Sequence, residues 1–224
     1  MLYQILTGQI GPTELVALLI ALVFGISVHE FAHAAAATWL GDSLPGRQGR
    51  LTLAPAAHLD VMGSLMFLVG GFGWGKPVQY NPYALRASPR GGPAIVAAAG
   101  PISNVILAAL ISIVIRLLMF AADAHLLDSI LSPAIARVLF SLLIFIVYYN
   151  LVLSFFNLIP VFPLDGFTIL QGVLPPALAD LLEATRQYGF FILLLLLFAG
   201  SSVLGPILHS PVNALLQLFV FAGT

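Results

Sequence analysis

The chain reads as long apolar blocks separated by short polar punctuation. Runs near 20 apolar residues lie at about 13–40, 92–120, 135–159 and 187–204, with a shorter block at about 206–222. Each long block suffices to cross about 30 Å of hydrocarbon as a helix. The piece 61–74, VMGSLMFLVGGFGW, is apolar but short, and four of its fourteen residues are glycine. Runs of that length more often re-enter or lie at an interface than span. The segment 44–58 carries the short alternation Arg50-Leu51-Thr52-Leu53 between Pro and Gly punctuation. With Pro77-Val78-Gln79-Tyr80 it predicts a small two-stranded element, whose open edge must be paired or buried in protein. The expected fold is an all-α polytopic membrane protein with about five to six transmembrane helices and a re-entrant or short β element. One membrane-embedded domain is expected to fill residues 1–224. The first block has no Lys/Arg-rich leader and reads as a retained span.

Composition agrees. Of the 224 residues 60% are hydrophobic and 8% charged, against about 25% charged in a soluble domain. The net charge of −1 gives no basis for a nucleic-acid partner. There is no cysteine, so any metal must be held by His, Asp, Glu or Asn. Arg47 and Arg50 follow the first block, and Lys76, Arg86 and Arg90 precede the next long one. If 61–74 dips in and returns, these five of the eight basic residues share the cytoplasmic face, as the positive-inside tendency favours. The loop 121–134, with Asp123, His125 and Asp128 and neither Lys nor Arg, then lies outside with the N-terminus.

One polar group stands where charge is costly. His29-Glu30-Phe31-Ala32-His33 interrupts the first apolar block, and ionisable groups inside a span usually face a bundle interior and carry a function. On a helix, positions i and i+4 share a face, so His29 and His33 can grip one zinc ion, with Glu30 beside it as a proton acceptor. A third ligand is needed, and Asp165 is the candidate. It follows a long apolar block broken by Pro160 and Pro163, and it precedes Gly166. Breaks of this kind are tolerated in a membrane only where protein or a cavity satisfies the freed carbonyls. The competing reading of Asp165 is a helix-start cap. Asn157, just before the break, can donate and accept without charge. Asn150 reads as a packing hydrogen bond, His58 and Asp60 as an interfacial turn, and His125 and His209 as interfacial residues.

Three motifs together resemble the site-2 protease family of intramembrane zinc metalloproteases, in its compact prokaryotic form without a PDZ domain. They are HEFAH at 29–33, Gly100-Pro101-Ile102-Ser103-Asn104, and NLIPVFPLDG at 157–166. His58-Leu59-Asp60 and Gly75-Lys76-Pro77-Val78 are similar to the same subgroup, which commonly has Pro where this chain has Val61. The resemblance covers residues 29–166, and 167–224 add further C-terminal transmembrane helices. It implies one zinc per chain on His29, His33 and Asp165, with Glu30 as general base and Asn157 on the substrate or the oxyanion. Asn104 is a candidate substrate contact beside Asn157, with helix–helix packing the favoured alternative because Ala97, Ala98, Ala99 and Gly100 precede it. It further implies cleavage within or beside a transmembrane helix of a membrane-bound substrate, at a site nearer the cytoplasmic side of a bacterial or archaeal membrane. Two other functions compete with this one. A metal or proton transporter would spread acidic groups or inverted repeats over several spans, and a proteolytically silent scaffold would have lost the Glu or a ligand.

Overall fold

The computed structural model describes residues 11–70, 73–127, 129, 131–199 and 204–222. Among these, eight helices of nine or more residues follow in order: α1 (Pro12–Trp39), α2 (Val61–Gly70), α3 (Gly91–Asp123), α4 (Pro133–Asn157), α5 (Asp165–Val173), α6 (Pro176–Ala184), α7 (Gly189–Ala199) and α8 (Leu204–Leu216). A π-helical turn, Gln217–Phe221, continues α8. Proline opens α1, α4 and α6, where its missing N–H breaks no bond and its fixed φ suits the first turn. The end of α4 is set by Pro160 and Pro163, which cannot continue the hydrogen-bond ladder.

Among the described residues, four helices are long and apolar enough to cross a membrane: Leu15–Trp39, Gly91–Asp123, Pro133–Asn157 and Leu204–Phe221. The protein is thus an all-α, multi-pass membrane protein. The expected span at 187–204 is represented by α7, whose 11 residues extend about 16 Å; residues 200–203 lie outside the described residues. α2 has ten residues, about 15 Å of helix, or half the hydrocarbon thickness. Residues 71 and 72 of that apolar piece, Asp128 of the 121–134 loop, and residues 1–10 also lie outside the described residues.

The expected pairing of 50–53 with 77–80 does not form. In its place a single antiparallel bridge joins Leu59 to Gly75, with Lys76 N–H donating to His58 O at 2.6 Å. Pro55 and Pro77 remove ladder donors at both segments. The buried Arg50 guanidinium substitutes for a ladder, donating to Ala57 O and, at 3.2 Å, to Lys76 O. His58 and Asp60 serve this frame. His58 is fully buried with Nε2 2.6 Å from Thr52 O, and Asp60 Oδ1 accepts from Gly63 N–H at the start of α2.

α1, α3 and α4 pack on one another, α5 lies against α3, and α8 lies against α4. Close approach comes from small residues: Ala17, Ala21, Ala34, Ala37 and Ala108 are all but inaccessible. Between α3, α4 and α8 the core is filled by Ala108, Ile115, Val147, Leu151 and Val212. The outer face of α3 is the reverse. Ile102, Ile106, Leu110, Ile113, Leu117 and Phe120 are exposed at spacings of three and four, which places them on one stripe. In water such a stripe is unfavourable, whereas acyl chains solvate it.

Candidate metal centre

α1 runs uninterrupted through the His-Glu motif, so His29 and His33 fall one turn apart, both buried, their rings edge-on with centroids 4.6 Å apart. Their outer nitrogens are engaged behind the site. His33 Nδ1 lies 2.7 Å from Val96 O, and His29 Nδ1 lies 2.8 Å from Asn104 Oδ1, both on α3. A carbonyl oxygen only accepts, so each Nδ1 donates and each Nε2 points inward with its lone pair.

Asp165 is the first residue of α5, directly after Leu164 at the N-cap. Its carboxylate crosses to α1, with Oδ2 3.0 Å from His29 Nε2 and 3.4 Å from His33 Nε2. The break after α4 makes this reach possible. Gly166 sits against Leu158 O so closely that a Cβ there would lie 2.2 Å from that oxygen. Gly100 does the same for α3, since a Cβ would lie 2.5 Å from His33 Cε1 and Nε2 and 2.6 Å from His29 Cε1.

One ligand atom from each of the three residues lies within 4.8 Å of the others. Two imidazole lone pairs thus face a carboxylate oxygen that is buried and accepts no hydrogen bond. Three acceptors pointing at one another repel, and a cation at their focus removes the conflict. The set of two nitrogens and one oxygen, open on its fourth side, suits zinc.

A cavity of about 500 Å³ opens on this cluster. Glu30 lies on its wall, with Oε2 accepting from Val78 N–H at 3.2 Å, which fixes the rotation of the carboxylate. Asn157 also lines it, donating one Nδ2 proton to Leu153 O at 2.9 Å and keeping the other. The remaining wall is largely apolar and includes Ile26, Val96, Leu153, Phe156 and Leu193. Tyr80 and Thr168, which the sequence did not single out, line it too. Burial raises the Tyr80 phenol above its ordinary value of 10, with Asp165 adding to this and Arg186 opposing it, so it stays an O–H donor near neutrality.

Asn104 is the exception among the candidate residues. It is fully buried behind His29, and neither it nor any atom of it lines the cavity. The expected substrate contact is therefore replaced by contact with a metal-facing histidine. One signal for this was present in the sequence. Gly100 and Asn104 are four residues apart, so they share the face of α3 that approaches α1.

The chain is similar to known proteins. YwhC of Bacillus subtilis (strain 168) is 39% identical over 204 residues, covering 90% of each chain. Rip2 of Mycolicibacterium smegmatis is 30% identical over 203 residues, covering 86% of this chain and 72% of Rip2. Both carry names that propose a zinc metalloprotease. No solved structure matches the chain. Residues 17–199 match peptidase family M50, a span that takes in α1, the cavity and the Asp165 helix, and the chain belongs to that family, the site-2 proteases.

Proposed function

We propose that the protein is an intramembrane zinc endopeptidase, hydrolysing a peptide bond within or next to a transmembrane helix of a membrane-bound substrate. The observation that carries this reading is the meeting of His29, His33 and Asp165 on the wall of an apolar cavity that also presents Glu30. Zinc, when bound, lowers the pKa of its water and polarises the scissile carbonyl.

The chain's own residues supply the rest. Glu30 accepts the proton of the attacking water, and the same carboxyl later returns it to the leaving amine. Asn157, through its second Nδ2 proton, donates to the oxygen on which negative charge develops. The apolar wall takes up the side chains of a hydrophobic segment. A substrate helix hides its carbonyls in i to i−4 bonds, so it must unwind locally before attack, and helix-weakening residues are expected at the cleavage point. Arg47, Arg50, Lys76, Arg86 and Arg90, all in the connection from α1 to α3, support a cytoplasmic-membrane location with the site nearer the cytoplasm.

The experiment is to purify the full chain in detergent, measure zinc content, and follow cleavage of a transmembrane reporter peptide by wild type and Glu30→Gln. Cleavage by wild type with one zinc per chain, and none by Glu30→Gln at equal zinc, is expected. Stoichiometric zinc with no hydrolysis of any transmembrane reporter would point to a binding or transport role.

A further inference from the structure

Behind His29 lies a closed chain of polar groups buried between three membrane helices. Asn104 Oδ1 is 2.8 Å from His29 Nδ1. Asn104 Nδ2 is 3.0 Å from Gly25 O and 3.0 Å from Asn150 Oδ1. Asn150 Nδ2 is in turn 2.9 Å from Ile146 O. Neither asparagine is accessible at all, so no water competes for these bonds.

The two backbone carbonyls decide the orientation of both amides. Ile146 O only accepts, so the NH2 of Asn150 must face it, which turns Asn150 Oδ1 towards Asn104. Gly25 O and Asn150 Oδ1 then present two acceptors to one end of Asn104. Its NH2 has two protons and satisfies both. The oxygen of Asn104 is thereby left for His29, whose Nδ1 must carry the proton and whose Nε2 keeps its lone pair. Flipping the Asn104 amide would set its oxygen against two acceptors and offer a donor to Nδ1. That arrangement moves the histidine proton to Nε2, the form that cannot bind a metal. His33 needs no such device, because Val96 O fixes its tautomer through the backbone.

We infer that Asn104 and Asn150 are positioning residues that hold His29 in its metal-binding tautomer and thereby set zinc affinity. Neither touches substrate. This rests on the zinc reading above, and it assigns to α4 a part in the metal centre although α4 contributes no ligand. Outer partners of metal-ligating histidines typically contribute about 10–100-fold in affinity.

The test uses the full chain in detergent, with zinc Kd measured by competition against a chromophoric chelator. The variants are Asn104→Leu, which keeps volume and removes the acceptor, Asn104→Asp, which keeps an acceptor oxygen, and Asn150→Leu. Asn104→Leu should weaken zinc by about 10–100-fold, and excess zinc should restore turnover with KM unchanged. Asn104→Asp keeps an acceptor for His29 Nδ1 but sets its second oxygen against Gly25 O and Asn150 Oδ1, so it should recover only part of the lost affinity. Asn150→Leu should fall between wild type and Asn104→Leu, because Gly25 O still orients Asn104; it also carries the test if Asn104→Leu does not fold. Folded leucine variants with zinc Kd within about twofold of wild type, well below the expected loss, would overturn the inference. So would unchanged Kd with a raised KM, the mark of a substrate contact, or an Asn104→Asp variant as weak as Asn104→Leu. A wild-type chain that binds no zinc would instead fail the underlying metal reading.

Discussion

Gly100→Ala adds one methyl group where two imidazoles already lie, and its effect can be worked from the geometry. The new Cβ would sit 2.5 Å from His33 Cε1 and Nε2 and 2.6 Å from His29 Cε1, where ordinary contacts run from 3.4 to 4 Å. Relief needs about 1 Å of movement, by the rings or by α3. Metal sites tolerate only about 0.2 Å in ligand distance, so either movement spoils the ligand set. Overall stability responds much less. The crowding costs about 1–3 kcal/mol, and replacing Gly by Ala inside a helix returns about 1 kcal/mol. The expected phenotype is a folded, membrane-inserted protein whose zinc affinity and turnover fall by about 100-fold or more, as a 1 Å misplacement implies. Thermal unfolding in detergent, chelator competition and reporter cleavage measure the three quantities. Gly100→Ala that binds zinc as wild type does, with unchanged turnover, would refute the close approach of α3 to the two rings.

Other consequences can be checked separately. Glu30→Gln should retain zinc and lose cleavage, whereas His33→Ala should lose both; zinc analysis alongside turnover separates the two. Chelator treatment should abolish wild-type cleavage and added zinc should restore it. Leu110→Arg, on the lipid-facing stripe of α3, should cost about 2.5–3.5 kcal/mol of insertion free energy if it lies near mid-membrane and lower the membrane-inserted fraction in a glycosylation-reporter or protease-protection assay. Lys76→Cys and Arg86→Cys should react with an impermeant thiol reagent in inverted vesicles and not from outside intact cells. The chain has no other cysteine, and labelling from outside would make 61–74 a true crossing.

The residues that the sequence made legible are those whose geometry is local. His29 and His33 need only one turn of helix to share a face, and the apolar block guarantees that turn. Asp165 was legible because two prolines and a glycine around a carboxylate in an apolar context have few uses. What the sequence could not supply was the rotation of one helix against another. Asn104 could face substrate, lipid or α1, and only the approach of α3 at Gly100 selects α1. The two-stranded element failed for a related reason. Alternation at 50–53 is a weak signal, and the Arg50 side chain, by reaching Ala57 and Lys76, took the place that a backbone ladder was expected to fill.

The two histidines and the aspartate come from opposite ends of the fold's order of synthesis. Asp165 follows His33 by 132 residues, which a ribosome adds in roughly 7–26 s at about 5–20 residues per second. Throughout that interval α1, α3 and α4 can insert and pack, yet the candidate centre has only two of the three side chains that converge on it. On the proposed zinc reading, enzymatic competence would therefore arrive late, once α5 has brought its carboxylate onto α1. On that reading a protease that shares its bilayer with other nascent membrane proteins would stay inert until most of its own helices are made.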